Sequence, residues 1–239
     1  MKLWKSWVIA TKDFNIFLKK KRILYTLIIL PLLLSVALPL SITGTTKTAE
    51  IISLLNAFSY FYIILAYILP NTLASYSILG EKIEQSLEPL LATPTTDSEL
   101  LLGKTMTSFL PCVGIIYAGS IIFMVLSDLL SYTTVGYLFF PNWSMAFILL
   151  LAVPLSSILS IQLNVIISSR VNDVRTANQL GMILFIPFIA LYLLLETSVV
   201  SLNLINLLAI SVILLAADAV LFYINKATFN RDAILTKWK

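Results

Sequence analysis

Residues Met106–Leu126 read MTSFLPCVGIIYAGSIIFMVL and contain no charged side chain. The hydrocarbon core of a bilayer is about 30 Å thick, and a helix needs roughly 20 apolar residues to cross it. In lipid, backbone N–H and C=O groups find no water to bind, and a helix bonds them to each other within one segment. The stretch therefore predicts a transmembrane helix.

Five further stretches share this character: Ile23–Ile42, Ile51–Leu73, Met145–Ile167, Ala177–Leu195 and Asn203–Ile224. Pro31, Pro154 and Pro187 lie within three of them and are expected to kink the helix. Of the 239 residues, 59% are hydrophobic and 12% are charged, whereas a soluble domain carries about 25% charged residues. We predict an all-α integral membrane protein, with residues 1–239 forming one six-helix transmembrane domain surrounded by membrane lipid.

The basic residues are distributed unevenly between the two ends of these helices. If the N-terminus is cytoplasmic, Lys47 is the only one of the 16 Lys and Arg residues in an outer segment. Basic residues concentrate in cytoplasmic segments of membrane proteins. We therefore expect a multi-pass protein of the cell membrane with both termini in the cytoplasm. The same distribution accounts for the net charge of +4 without a nucleic acid partner.

Residues that could hold a metal or carry out catalysis are scarce. The chain has no histidine and one cysteine, Cys112, which lies within an apolar run. Histidine is the commonest general base, and imidazole and thiolate groups are the usual zinc ligands. We expect no catalytic site, no metal site and no cofactor bound by this chain.

The segment before the first span, residues 1–22, has the period of an amphipathic helix. Its apolar residues recur at three- and four-residue steps, and most of its polar residues fall on the opposite side. The apolar set is Leu3, Trp4, Trp7, Val8, Phe14, Phe17 and Leu18, and the polar set is Lys2, Lys5, Ser6, Lys12, Asp13, Asn15 and Lys19. Such a helix suits the membrane surface. It is either a simple anchor or an anchor that also contacts a cytoplasmic partner.

One long loop, residues 80–104, joins the second and third spans and is predicted to be cytoplasmic. It reads GEKIEQSLEPLLATPTTDSELLLGK. Residues 81–88 continue the second helix beyond the membrane, and the two prolines that follow redirect the chain. Thr96 and Glu99 form a capping box that begins the helix of the third span.

The apolar residues of this loop lie where lipid cannot cover them. They are Leu87, Leu90 and Leu91, and acidic residues surround them. Exposed apolar groups rimmed by charge are typical of a contact surface. We predict an ordered docking surface for another protein.

The loop closely resembles that of type-2, exporter-like ABC transporter permeases. Glu81-Lys82, Leu87 to Pro94 and Leu101 to Lys104 match the three parts of the family's pattern, while Gln85 and Ser86 replace its usual Arg-Gly. Residues 168–180 and 229–235 are also similar to the family. With the six spans, the resemblance covers essentially the whole chain.

This resemblance implies a membrane-spanning permease subunit that pairs with a second permease chain, as a homodimer or a heterodimer. Each chain would bind a cytoplasmic ABC ATPase subunit, which holds ATP and Mg. The loop would be a coupling helix seated in a groove of the ATPase. The coupling residues would be Glu81, Glu84, Leu87, Glu88, Pro89, Leu90, Leu91, Thr93 and Pro94.

Gly103-Lys104-Thr105 matches the end of a phosphate-binding P-loop. The first glycine of that motif would stand five residues before Gly103, where the sequence has Ser98. The segment is also predicted to be a capped helix, whose amides are not free to bind phosphate. We therefore expect the ATPase to be a separate polypeptide.

Polar side chains within the spans are the candidates for a translocation path. They are Asn71, Gln162, Asn164 and Asp218. The alternative for each is a hydrogen bond between helices. Tyr60, Phe61, Tyr62 and Tyr67 on the second span are equally open between packing and a substrate path.

Three other functions compete with an ABC permease. A secondary carrier or channel would need paired repeats or several charges within the membrane, and the sequence has a single acid well inside a span, Asp218. An intramembrane enzyme would need a nucleophile and base, and no convincing set is present. A structural or assembly factor stays open.

Overall fold

The computed structural model describes residues 3–83, 96–171, 173–183, 186, 190 and 204–228. These residues form helices and contain no strand. In chain order the helices are α1 Leu3–Lys19, α2 Lys21–Leu40, α3 Thr48–Ile83, α4 Asp97–Val135, α5 Trp143–Phe147, α6 Val153–Arg170, α7 Val174–Ile183 and α8 Leu204–Thr228. A π-helical turn, Ile148–Ala152, joins α5 to α6.

Four segments of the described chain are long and apolar enough to cross a membrane. They are Thr48–Ser77, Glu99–Val135, Trp143–Arg170 and Leu208–Asn225. A fifth is formed if Ser6–Lys19 and Leu24–Leu40, which meet at a bend of 80°, are counted as one span. The chain is therefore a multi-pass membrane protein, whose described residues are all-helical and contain four or five apolar spans. Six spans stay a prediction, because most of Ala177–Leu195 lies outside the described residues.

Two of the helices are longer than the predicted spans. α3 has 36 residues and α4 has 39, so at 1.5 Å per residue each exceeds the roughly 30 Å of a bilayer core. The predicted span ended at Leu126, but α4 continues to Val135. It ends there because Gly136 takes the left-handed conformation, with φ +82°, and its N–H donates to the Tyr132 carbonyl at 2.9 Å.

The helices α3 and α6 run in the same direction and in a fixed register. Ser156 Oγ donates to the carbonyl of Ile63 at 3.4 Å, and Ser160 Oγ donates to that of Tyr67 at 2.6 Å. Both pairs are separated by 93 residues, and so are Asn164 and Asn71, whose side chains also bond. A constant separation along two helices requires them to be parallel. The chain between them therefore crosses back, which is the path that α4 takes.

The helix α2 packs against α4 through small residues. Ser35 Oγ donates to the Pro31 carbonyl at 2.7 Å and lies 3.0 Å from the Tyr62 hydroxyl. A Cβ atom on Gly119 would stand 2.9 Å from Ser35 Oγ, so glycine permits this close approach. Pro31 lies inside α2, and the Ser35 hydroxyl adds a second donor to its carbonyl along the same helix. Pro31 is buried, so the proline lies where α2 faces protein.

Of the other two prolines that were predicted to kink a helix, the structure describes Pro154 but not Pro187. Pro154 lies in the first turn of α6, directly after the π-helical turn Ile148–Ala152. Proline is tolerated there because a residue in the first turn of a helix needs no N–H for a bond within that helix. Pro187 lies outside the described residues.

Candidate functional site

The predicted coupling residues lie almost wholly outside the described part of the chain. Glu84, Leu87, Glu88, Pro89, Leu90, Leu91, Thr93 and Pro94 are not described, and of Glu81 only the helical backbone in α3 is described. Their coupling role stays a prediction. The structure does describe both flanks of the loop, where α3 ends at Ile83 and α4 begins after Thr96.

The start of α4 is fixed by the predicted capping box, which the structure confirms. Thr96 Oγ1 accepts from the Glu99 N–H at 3.3 Å, and Glu99 Oε2 accepts from the Thr96 N–H at 3.2 Å. Glu99 is buried, and its carbonyl accepts a hydrogen bond from Ser6 Oγ at 2.9 Å. The chain therefore returns from the loop at a defined point, which is also tied to α1.

The helix α1 lies in close contact with the first turns of α4. Its buried residues, Ser6, Ile9, Ala10, Asp13 and Phe17, follow each other at helical steps and form one face. Gly103 lies against that face. A Cβ atom there would stand 2.9 Å from both Ile9 Cβ and the Ser6 carbonyl oxygen, closer than real contacts allow. Glycine at position 103 therefore lets the two helices touch.

A buried ion pair joins the same two helices and α3. Lys104 Nζ lies 3.6 Å from Asp13 Oδ2, and the two side chains are 3% and 4% exposed. Lys104 Nζ also donates to the Ser77 carbonyl at 2.8 Å, and Ser77 Oγ donates to Asp13 Oδ2 at 3.1 Å. We call Asp13, Ser77 and Lys104 the clasp. The clasp brings together three helices at the end of the bundle where α3 stops and α4 starts, which we call the loop end.

The structure corrects the predicted placement of two polar residues of α1. Ser6 and Asp13 were assigned to the polar side of α1, away from its packing face, but both are buried against α4. They are tolerated there because each has a polar partner. Of the predicted segment 1–22, residues Leu3–Lys19 form α1 and Lys21 begins α2, while residues 1 and 2 lie outside the described part of the chain. Among its apolar residues Trp4, Trp7, Val8, Phe14 and Leu18 are exposed and Phe17 is buried. Its place at the membrane surface stays a prediction.

The P-loop resemblance at Gly103-Lys104-Thr105 has a packing explanation. Gly103 accommodates α1, Lys104 bonds Ser77 and Asp13, and Thr105 Oγ1 donates to the Leu101 carbonyl at 2.8 Å. All three residues lie inside α4, where the amides bond within the helix. The glycine and lysine of this segment contact α1 and are not available to bind phosphate.

Two of the candidate path residues are bonded to each other. Asn164 Nδ2 lies 2.8 Å from Asn71 Oδ1 and 2.7 Å from Ser75 Oγ, and Asn164 Oδ1 accepts from Ser168 Oγ at 2.9 Å. Asn71 Nδ2 in turn donates to Asn178 Oδ1 at 2.7 Å. We call these five residues the amide network. It joins α3, α6 and α7, and its polar groups are satisfied by protein.

The remaining two candidates lie at the interface of α6 and α8. The Gln162 carbonyl accepts from Asn225 Nδ2 at 3.1 Å, while Gln162 Oε1 is buried without a hydrogen-bond partner among the described residues. Asp218 is 8% exposed, and neither of its carboxylate oxygens has a hydrogen-bond partner in the described chain. Asp218 is therefore an acid of α8 that faces protein, and the described residues offer its carboxylate no hydrogen bond.

The tyrosines of the second span are mostly engaged in packing. Tyr62 donates to the Gly119 carbonyl at 3.3 Å, and Tyr67 donates to the Gly181 carbonyl at 2.9 Å. The Tyr60 hydroxyl is buried with no partner in the residues described. Tyr62 and Tyr67 thus fix α3 to α4 and α7.

Sequence reasoning missed several of these polar partners. Ser77, Asn178 and Asn225 were not singled out, and each makes a contact between helices. The sequence marks these three positions only as polar residues at or near the ends of apolar runs. Within the described ranges no group of three His, Cys, Asp or Glu residues lies close enough to hold a metal ion.

Residues 7–225 match the family described as ABC-2 family transporter protein. The match covers nearly the whole chain, from α1 to α8, so the chain belongs to this family of transporter membrane proteins. This confirms the resemblance seen in the loop. Comparison with curated proteins finds no significant match. The chain is therefore a membrane component of an ABC-2 family transporter.

Proposed function

We propose that this chain is the permease subunit of an ATP-driven ABC exporter, forming the substrate path and coupling it to a separate ATPase subunit. The observation that supports it best is the fixed start of α4, directly after the loop. The capping box at Thr96 and Glu99 and the bond from Ser6 fix where α4 begins. A loop held at its base can transmit force, whereas a freely moving connector could not.

The loop end is proposed to face the cytoplasm, with both termini on the same side and six spans in all. The ATPase would supply ATP and Mg, because this chain's one P-loop-like segment is occupied by packing. A second permease chain would complete the transporter, since each of two ATPases needs a loop to dock on.

In this proposal the segment Glu84 to Thr93 is the coupling helix. Leu87, Leu90 and Leu91 supply apolar contact with the ATPase, and Glu81, Glu84 and Glu88 meet basic residues around its groove. Pro89 and Pro94 set the direction of the chain. Burying two leucines contributes about 3–6 kcal/mol, enough to dominate a docking interface.

The satisfied amide network supports a structural role for Asn71 and Asn164, because groups that bond each other are not free for a substrate. Gln162 and Asp218 are the better candidates for the path. Both present buried polar atoms without a hydrogen-bond partner among the described residues.

The test is the double substitution Leu90→Asp with Leu91→Asp. The chain is expected to insert and fold normally but to lose the ATPase, or to retain it without stimulating ATP hydrolysis. The matched control is Ile234→Asp with Leu235→Asp, two adjacent apolar residues in the predicted cytoplasmic tail. Co-purification of the ATPase and its rate of MgATP hydrolysis are measured in both.

A double variant in the loop that behaves like the tail variant would show that the loop is only a connector. The same purification tests the absence of an ATP site, because the chain without its ATPase should show no saturable ATP hydrolysis.

A further inference from the structure

We propose that the clasp of Asp13, Ser77 and Lys104 makes α1 part of the coupling device, so that α1 moves as one body with the two helix ends that carry the loop. The inference rests on the proposed function, since it concerns how the docked loop transmits movement. It assigns to Asp13 and Lys104 a positioning role that neither the family match nor the loop motif gives them.

The clasp lies on both flanks of the loop. Ser77 is less than two turns before Ile83, the last described residue of α3, and Lys104 is about two turns into α4. Lys104 Nζ contacts one oxygen from α3 and one from α1, at 2.8 Å and 3.6 Å. A single ammonium group therefore fixes the spacing of the two helix ends relative to each other and to α1.

The surroundings make this contact rigid. Asp13 and Lys104 are almost wholly removed from solvent, and charges in a medium of low polarity interact strongly and are costly to separate. Removing one partner would leave the other as an uncompensated buried charge. The buried pair thus holds the two helix ends and α1 together, whereas an exposed ion pair would open and close freely in water.

Two further contacts extend the clasp along α1. Ser6 bonds the carbonyl of Glu99, a member of the capping box. Ile9 lies against Gly103 so closely that a methyl group there would collide with it. From residue 6 to residue 13, α1 therefore follows α4 from residue 99 to residue 104. A displacement of the loop by an ATPase would carry α1 with it.

This arrangement also explains the Leu101 to Lys104 part of the loop motif. Gly103 and Lys104 contact α1 and α3 rather than facing outward. Residues that belonged to the docking surface would instead be exposed. The end of the motif therefore fixes the base of the loop, and the middle of the motif is the part proposed to contact the ATPase.

The test uses the full-length chain purified with its ATPase and reconstituted in lipid. Asp13→Asn, Lys104→Met and the double variant are compared for the amount of ATPase bound, thermal stability and MgATP hydrolysis per assembled complex. Stimulation of hydrolysis per complex is expected to fall about 5-fold or more in each single variant. The double variant is expected to be no worse than the worse single one, because both partners of one pair are gone.

The matched control is Asp128→Asn. Asp128 Oδ1 accepts from the N–H groups of Phe139 and Phe140, at 2.9 Å and 3.1 Å, at the opposite end of α4. It is expected to lower thermal stability without changing hydrolysis per complex. A clasp variant that also changes only thermal stability would overturn the proposal, since that is the effect of a purely structural contact.

Gly103→Ala separates α1 from α4 without changing any charge and is expected to reduce stimulation as well. Its control, Gly114→Ala, adds a methyl group where no atom lies within 4 Å, and should leave stimulation unchanged. If every clasp variant and Gly103→Ala fail to fold, the contact is only structural and the proposal is wrong. If the unmodified chain neither binds nor stimulates an ATPase, the proposed function fails. If the variants stimulate ATP hydrolysis normally, this inference is wrong but the proposed function still stands.

Discussion

Asn164 on α6 and Asn71 on α3 are bonded side chain to side chain, with Nδ2 of the first 2.8 Å from Oδ1 of the second. Both side chains are buried, and each has a further amide or hydroxyl partner. In lipid such bonds hold helices together because the alternative is an unsatisfied polar group. The contact therefore sets the register in which α3 and α6 run side by side.

Asn164→Ala is expected to destabilise the folded chain by about 1–3 kcal/mol. It removes hydrogen bonds to Asn71 and Ser75 and leaves Ser168 without its acceptor. Reversible unfolding in detergent measures the change. Ser169→Ala is the control, because Ser169 is exposed and bonds only the Ile166 carbonyl of its own helix. Equal stabilities for the two variants would remove the amide network as a source of helix packing.

Gly181→Ala is expected to weaken the contact between α7 and α3. A Cβ atom at Gly181 would overlap Asn71 Oδ1, so the Asn71 side chain would have to leave its position. Gly114→Ala serves as the control and should be neutral or slightly stabilising, since alanine favours helix more than glycine by about 1 kcal/mol. The effect is read as a shift in unfolding temperature.

The cause of that shift can be checked with Asn71→Ala. If the collision with Asn71 is what matters, Gly181→Ala should cost much less in the Asn71→Ala background than in the unmodified chain. Additive losses would mean that the alanine disturbs something other than the amide.

The sequence predicted best what depends on neighbouring residues. The capping box at Thr96 and Glu99 was readable because its two partners are three residues apart and their chemistry is fixed by helix geometry. Four of the six predicted spans coincide with long apolar helices of the described chain, because bilayer thickness sets the length of such runs. The family was readable from the loop for a similar reason, since its motif is continuous in the chain.

Contacts between distant segments could not be read in this way. Periodicity showed that Ser6 and Asp13 share a face of α1, but it could not show that Lys104, some 90 residues later, would make that face the buried one. The pairing of Asn71 with Asn164 likewise depends on how two helices are brought together. The sequence showed that these amides lie within the membrane and left their partners open.

Labelling of single cysteines should place the two ends of the span Trp143–Arg170 on opposite sides of the membrane. Tyr137→Cys, in the segment before α5, is expected to react with an impermeant thiol reagent from outside, because Tyr137 is exposed beyond the end of α4. Ser169→Cys, at the loop end of α6, is expected to react only after the membrane is opened. Replacing the buried Cys112 by Ser provides the background. Reaction of both positions from the same side would contradict the proposed topology.

Asp218→Asn tests whether the unsatisfied acid on α8 serves transport. A charged side chain near the middle of a bilayer costs about 2.5–3.5 kcal/mol on insertion scales. The isosteric amide removes that cost, so a purely structural role predicts equal or greater thermal stability. We expect stability to be retained while MgATP hydrolysis by the assembled complex falls, because the carboxylate would be needed on the path. Leu214→Val, one turn away on the same buried face, should change hydrolysis less than Asp218→Asn does. Retained hydrolysis in Asp218→Asn, or reaction of a cysteine at position 218 with a lipid-phase thiol probe, would exclude Asp218 from the path.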